Sequence, residues 1–246
     1  MGRMSTFLNK RINAWRLGIP LTISSRFQLP KHMRIAGHPH RLNLPDEIGV
    51  RVAMMEVLIG DCYGIRKIPA PVRTILDVGA NVGIFCLAAR EAHNEATIHA
   101  YEPNGSLEPY LSNQAGVANA SYFMKAISAT EGRVSVQVGV DSVCTTTHMD
   151  DHGSIPAVGI RQAIDALGGH VDFVKMDCEG AEWEILDDVE AWSHVQHLAL
   201  EYHLTPAHGA NLLHQDIRRS IGRIGLEISK QEESPTFGLL WAHRKP

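Results

Sequence analysis

The sequence predicts a doubly wound α/β fold: a mostly parallel, seven-stranded sheet that ends in an antiparallel hairpin. Three observations carry this expectation. From Thr74 onward, short apolar runs alternate with Ala- and Leu-rich segments of helical length. Such alternation forces parallel strands joined by right-handed crossovers. The stretch Asp77-Val78-Gly79-Ala80-Asn81-Val82-Gly83 stands at a strand-to-helix corner, where glycines let the backbone turn and approach a ligand. Close to the C-terminus, two strand-like runs are joined through Ser234-Pro235-Thr236, which predicts a hairpin.

The elements follow in order. Met4, Leu8, Ile12 and Trp15 recur at three- and four-residue spacing, predicting an amphipathic helix over 4–17. Such a helix caps the domain, mediates self-association into a homo-oligomer, or lies on a membrane surface. Residues 18–50 read as an irregular lead-in with one or two short strands, and Glu47 to Asp61 as a helix closed off by Pro69 and Pro71. The sheet begins with strands 74–78, 97–102 and 121–127, joined by helices 83–92 and 106–116. Alternating Val134, Val136 and Val138 predict an extra strand over 133–138, followed by a loop to about 157. That loop holds His148-Met149-Asp150-Asp151-His152, metal-type residues that read as solvated in such a setting. Helix 160–167, strand 171–176, helix 181–192, strand 198–200, helix 210–224 and strands 226–231 and 237–243 complete the reading. Residues 1–60 form a basic, partly helical extension and 61–246 a single domain.

Composition narrows the function. With 44% apolar and 20% charged residues, the chain has the make-up of a soluble globular protein. No run approaches the ~18 consecutive apolar residues of a membrane span. Cys62, Cys86, Cys144 and Cys178 lie far apart with no C-x-x-C, so neither zinc nor a redox motif is indicated and a reducing, cytoplasmic setting is expected. Eight Lys or Arg precede the first acid, Asp46, leaving 15 of the 23 basic residues against all 27 acidic ones. An acidic body is a poor partner for duplex nucleic acid, and none is expected.

The corner and the strand that follows it define a ligand. Strand 97–102 ends in Glu102, and an acid there suits ribose hydroxyls, which donate hydrogen bonds. A dinucleotide needs G-x-G-x-x-G, whose central glycine admits a pyrophosphate to the helix N-terminus. Here Asn81 stands between Gly79 and Gly83, and Asp77 would repel a phosphate. Both departures suit S-adenosylmethionine, which has no phosphate and carries a sulfonium and an ammonium. At the carboxyl ends of the strands, where ligands sit, the polar segments are Asp77–Gly83, Glu102-Pro103-Asn104, Lys175–Glu182 and Glu201-Tyr202-His203.

With D-[IV]-G-A-N-x-G, E-P-N and K-x-D-x-E-G-x-E standing in that order, the segment from Tyr63 to His203 closely resembles the FkbM family of S-adenosylmethionine-dependent O-methyltransferases. The resemblance implies a Rossmann-like class I methyltransferase fold and methylation of a hydroxyl on a small molecule, such as a sugar, polyketide or other natural product. It also implies that Asp77, Gly79, Asn81 and Gly83 line the methionine end of the cofactor and that Glu102 holds the ribose. Ala126 would lie beside the adenine and Asp177 would face the methyl-transfer site. Cys86 stands where similar sequences often carry a small hydroxyl residue, and residues 1–60 match no family pattern.

For catalysis the candidates are Asp177, Glu201 and His203. In one arrangement His203 or Asp177 takes the acceptor proton directly. In the other, Asp177 and Glu201 hold a divalent cation such as Mg²⁺; no third ligand is evident, so the direct arrangement is preferred. Lys175, Asp177 and Glu179 could equally form an ion-pair cluster that orients the following helix. The rival functions are a non-catalytic cofactor-binding protein and an NAD(P)-dependent oxidoreductase on a related sheet. A nucleic-acid amino-methyltransferase would often show an Asn/Asp-Pro-Pro-aromatic tetrad where Asp177-Cys178-Glu179-Gly180 stands.

Overall fold

A computed structural model describes residues 10–19, 28–138, 145–204 and 212–245. Its main sheet has seven strands: β3 (Thr74–Val78), β4 (Thr97–Tyr101), β5 (Ser121–Phe123), β10 (Val171–Met176), β11 (Val195–His203), β12 (Leu226–Glu233) and β13 (Phe237–Arg244). Their order is β12-β13-β11-β10-β3-β4-β5. The five strands from β11 to β5 are parallel, and β13 runs antiparallel to both β11 and β12. The order of strand addition reverses at β3, with β4 and β5 laid down on one side of it and β10 and β11 on the other, so a crevice opens beyond the carboxyl ends of the neighbours β3 and β10.

Strand alternation splits the interior into two cores, one on each face of the sheet. Ile75, Phe173 and Ala199 face one core while Leu76, Val174 and Leu198 face the other. The first core is filled by helix Ile84–Ala92, by Leu111 of helix Glu108–Ala118 and by residues of the N-terminal extension, including Ala14, Leu17, Ile35 and Val50. The second takes helices Ile160–Asp165, Glu182–Ile185, Val189–Trp192 and His214–Arg223. The central strands β3 and β10, covered on both faces, are buried along nearly their whole length, whereas the edge strand β12 is largely polar and exposed.

Several expectations are corrected. The run 121–127 is two strands: Lys125 N–H folds back onto Phe123 O (2.8 Å), and β6 (Ala126–Ser128) leaves the main sheet. It pairs with β9 (Ile155–Gly159) in a second sheet with β7 (Gly132–Val138) and β8 (Thr145–Met149), in the order β6-β9-β7-β8. The segment expected to be a loop to 157 is therefore half strand, and His148 sits on β8. The helix expected at 181–192 is two short ones, because the Asp188 side chain accepts the Ala191 N–H and starts a new helix. Strand 198–200 is the centre of a nine-residue strand, β11, which carries His203 itself rather than leaving it on a loop.

In the N-terminal extension, β1 (His32–Ile35) and β2 (His38–Arg41) form an antiparallel pair. Helix Ile48–Ala53 continues as a π-helical turn over Met54–Ile59. The helix expected over 4–17 is described from residue 10, and its Met4 and Leu8 lie outside the described residues. Its docked face is Ala14 and Leu17, whereas Ile12 and Trp15 of the apolar stripe point to solvent. Of helix 210–224, His214–Arg223 is described. Among the described residues, no helix is long and apolar enough to cross a membrane.

Candidate active site

The corner after β3 is built by backbone constraints that only its residues meet. Gly79 has φ +76°, and a Cβ there would lie 1.8 Å from the Asp177 carbonyl oxygen. The N–H groups of Gly79 and Ala80 both donate to Tyr101 O (3.0 Å each), so the loop is pinned between β4 and β10. Asn81 also takes a left-handed conformation, φ +50°, and its side-chain oxygen accepts the Val82 N–H (2.8 Å). Gly83, φ +84°, opens helix Ile84–Ala92 and passes within contact of Gln114 and Leu111.

Beyond this corner lies a cavity of about 600 Å³, within the range of small-molecule sites. Gly79, Asn81, Glu102, Ala126, Asp177, Glu201 and His203 all line it. Two of the expected residues do not. Gly83 packs against helix Glu108–Ala118. Asp77 is fully buried beneath the loop, where its carboxylate faces the Lys175 ammonium at 3.3 Å and accepts from the Cys86 thiol at 3.5 Å. These two shape the corner from behind.

Lys175 ties the loop to β10. Its ammonium donates to Gly79 O (2.5 Å) and Val78 O (3.3 Å) and lies 5.5 Å from the Tyr63 ring centre. Burial alone would lower its pKa, but the charges of Asp77 and Asp177 outweigh it and hold the ammonium protonated. Burial pushes the Asp77 carboxyl up, against the pull of Lys175.

Glu102 reaches back across the cavity floor. One carboxylate oxygen accepts the Asn81 N–H and the other the Asn104 N–H, each at 2.8 Å. Burial raises its pKa and these two donors oppose the rise. The carboxylate is thus fixed in place, with lone pairs left over for a diol. Glu102→Ala is expected to weaken S-adenosylmethionine binding by about 1.5–3 kcal/mol, since hydrogen bonds to a charged group are lost. Unchanged affinity by calorimetry would place the ribose elsewhere.

Asp177 directly follows β10, while Glu201 lies within β11, two residues before its end, each next after the paired Met176 and Leu200. Tyr63, from the N-terminal side, donates its hydroxyl to Asp177 Oδ2 at 2.9 Å. Asp177 Oδ1 is buried and has no hydrogen-bond partner among the described residues. Glu201 is pushed up to about 7, first by burial and then by the charge of Asp177.

His203 is held between two carboxylates. Its Nδ1 lies 3.3 Å from Glu182 Oε1 and its Nε2 lies 3.4 Å from Glu179 Oε2. Burial would lower its pKa, but the hydrogen bond to Glu182 and the charges of Glu182 and Glu179 raise it to about 9. Glu182 is itself fully buried and accepts N–H groups from Cys178 and Gly180. Glu179 adopts φ +55° and is pushed up to about 7 by burial, against the charge of His203.

These shifts set a pH dependence. A carboxyl whose pKa is higher folded than unfolded costs stability as pH rises from 4.5 to about 7, as Glu179 and Glu201 do. The contribution of His203 is complete below 6.5 and lost as pH climbs to about 9. The melting temperature of the unliganded protein is therefore expected to fall between pH 6.5 and 9. A rise over that interval in scanning calorimetry would contradict the pairing of His203.

Sequence reading placed Lys175 and Glu179 in the right motif without assigning them roles at the cavity. It missed Tyr63 and the wall formed by Ile48, Val52 and Glu56, all of which line the cavity. No local signal marks them: Tyr63 reaches the site through Asp177, 114 residues away in sequence, and the wall residues through the packing of the N-terminal extension. The cluster His148–His152 is not among the groups that could hold a metal in the described residues. There Asp150 accepts from the Ser135 hydroxyl (2.5 Å) and the His152 N–H (2.9 Å).

The strand order, with its antiparallel hairpin at one edge and a glycine corner after β3, defines the class I methyltransferase architecture. The Methyltransferase FkbM domain matches residues 77–227, well over half of the chain, and the protein belongs to that family. Methyltransferase sdnD of Sordaria araneosa is 24% identical over 187 residues, covering 59% of this chain and 72% of that protein. Among solved structures, an O-methyltransferase family protein from Burkholderia thailandensis is similar at 15% identity with a TM-score of 0.49, covering 79% of this chain and 57% of that one. Precorrin-6y C5,15-methyltransferase from Geobacter metallireducens GS-15 is similar at 13% identity with a TM-score of 0.44, covering 76% and 89%.

The cavity's chemistry fits the S-adenosylmethionine that the family implies. Its lining carries the carboxylates of Glu56, Glu102, Asp177, Glu179 and Glu201 against the cations of Lys175 and His203, so it favours a cationic ligand over a pyrophosphate. The partnerless Asp177 Oδ1 asks for a donor or a positive charge from a ligand.

Proposed function

We propose that the protein transfers a methyl group from S-adenosylmethionine to a hydroxyl oxygen of a small molecule. When bound, the cofactor supplies an electrophilic methyl on its sulfonium. Glu102 holds the ribose, Ala126 and Ile127 flank the adenine, and Asn81 and Gly79 border the methionine end. Asp177 and Glu201 take up the acceptor hydroxyl between them. The single observation that carries this reading is the pair of cavity carboxylates one position beyond the paired Met176 and Leu200, Asp177 just after β10 and Glu201 on β11, since a hydroxyl nucleophile requires a proton acceptor. Glu201 is the base, because Asp177 already accepts from Tyr63 while no described side chain donates to Glu201. His203, engaged by a carboxylate at each ring nitrogen, holds Glu179 and Glu182 in place rather than removing a proton.

A metal-assisted route has one observation in its favour: ligand atoms of Asp177, Glu182 and His203 lie within 4.8 Å of one another. That set differs from the Asp177–Glu201 pair expected from sequence. Glu182 spends its oxygens on backbone N–H groups, so we favour the metal-free route. A mass-spectrometric acceptor screen with methyl-labelled cofactor tests the proposal; labelled methyl ethers formed equally with and without chelator support it. Labelled amines alone, or turnover that vanishes with chelator and returns with Mg²⁺, would count against it. The acid-rich cavity also supports an acceptor other than nucleic acid, and the exposed Ile12–Trp15 face is where we place any self-association.

A further inference from the structure

The helical segment Ile48–Ile59 has a core face and a second apolar patch that the core leaves exposed. Val50, Met54 and Leu58, at four-residue spacing, are fully buried. Ile48 and Val52 form the second patch and line the cavity, joined there by the half-buried Val57, which also packs on the core. Ile48 is 72% exposed and Val52 47%, and Phe237, at the start of β13 on the same cavity, is 38% exposed. Three of the eight large apolar side chains that stay exposed among the described residues thus border one cavity. Exposed apolar groups gathered at one concave site mark a ligand surface rather than ordinary surface scatter.

The part of the cavity formed by the strand ends has the opposite character. Its four carboxylates, Glu102, Asp177, Glu179 and Glu201, face two cations, and both cations are already engaged, Lys175 by Asp77 and the loop carbonyls, His203 by Glu179 and Glu182. An acceptor bearing a carboxylate or phosphate would bring like charge into this field with no free cation among the described lining residues to receive it. A bare polyol would leave the Ile48–Val52–Phe237 surface in water.

We infer that the acceptor is an uncharged alcohol or phenol on an apolar skeleton, with the skeleton between Val52 and Phe237 and the hydroxyl directed at Asp177 and Glu201. The inference rests on the proposed hydroxyl methylation and narrows it, setting sugars and acidic metabolites aside. Ile48, Val52 and Phe237 become specificity-determining residues, supplied partly by the N-terminal extension rather than by the methyltransferase sheet alone.

The test is calorimetric titration of the full-length protein, free and loaded with S-adenosylhomocysteine, with 2-naphthol, 2-naphthoate and glucose. The naphthol is expected to bind at least about tenfold more tightly than the naphthoate or glucose. Val52→Glu and Phe237→Ala should each weaken naphthol binding about fivefold or more, whereas Trp15→Ala, at an exposed apolar position outside the cavity, should not. Equal affinity for the naphthoate, tight glucose binding, or a Trp15→Ala effect matching that of Val52→Glu would overturn the inference. Titration of S-adenosylhomocysteine reads the cofactor assignment separately. Its failure to bind would strike that assignment, while the naphthol comparison on the free protein would still decide the acceptor class.

Discussion

Replacing Lys175 with methionine is expected to destabilise the protein by about 3–5 kcal/mol, the usual loss when one partner of a buried ion pair is removed. Asp77 is fully buried and faces Lys175 at 3.3 Å, so without the ammonium its carboxylate is left uncompensated. The substitution also removes the donor to Gly79 O and Val78 O, which anchors the glycine corner to β10. Adding Asp77→Asn should recover part of the loss, because the unpaired charge is then gone even though the anchor is not. Denaturant midpoints at unchanged slope would measure both effects. A loss below about 1 kcal/mol for Lys175→Met would mean that the pair is solvated and surface-like.

The second large effect is on turnover. Glu201→Gln should slow methyl transfer by ~10²-fold or more, the usual contribution of a positioned general base. S-adenosylmethionine affinity should change far less. Asp177→Asn should slow it comparably by removing the neighbouring carboxylate. In wild type, activity should rise with pH as Glu201 ionises, with a midpoint below its unliganded value of about 7 because the bound sulfonium favours the carboxylate. That rise should be absent from Glu201→Gln. If Glu201→Gln kept both the rate and the rising limb, the proton would go elsewhere.

What was legible in the sequence was what depends on neighbours along the chain. Gly79 is legible because the corner itself needs a positive φ, although the close approach of the Asp177 carbonyl that also demands a glycine there is not, and Glu102 acts two residues from Asn104 and next to the loop it holds. Asp177 and Glu201 could be placed together because parallel strands align their carboxyl ends. Gly83 and Asp77 share that motif, but which members of a tight turn face outward depends on the helix and strand packed behind them. The strands β8 and β9 read as a loop because β8 is a run of polar Thr and His without apolar alternation, and β9 carries Pro156 and ends in Gly159. Asp188 splits a helix through a cap that looks like an ordinary acidic position in sequence. Tyr63 and the Ile48–Ile59 wall were illegible, since their place depends on how the N-terminal extension packs over the crevice.

The central claim is that an acid-lined cavity with a ribose-type carboxylate and no pyrophosphate cradle selects S-adenosylmethionine. Calorimetric titration of the full-length protein with S-adenosylmethionine, and with NAD in parallel, measures that selection directly. The account predicts a low-micromolar dissociation constant for S-adenosylmethionine, on the order of −8 kcal/mol, and no competition from NAD. Equal affinity for NAD, or no S-adenosylmethionine binding by a folded protein, would contradict it.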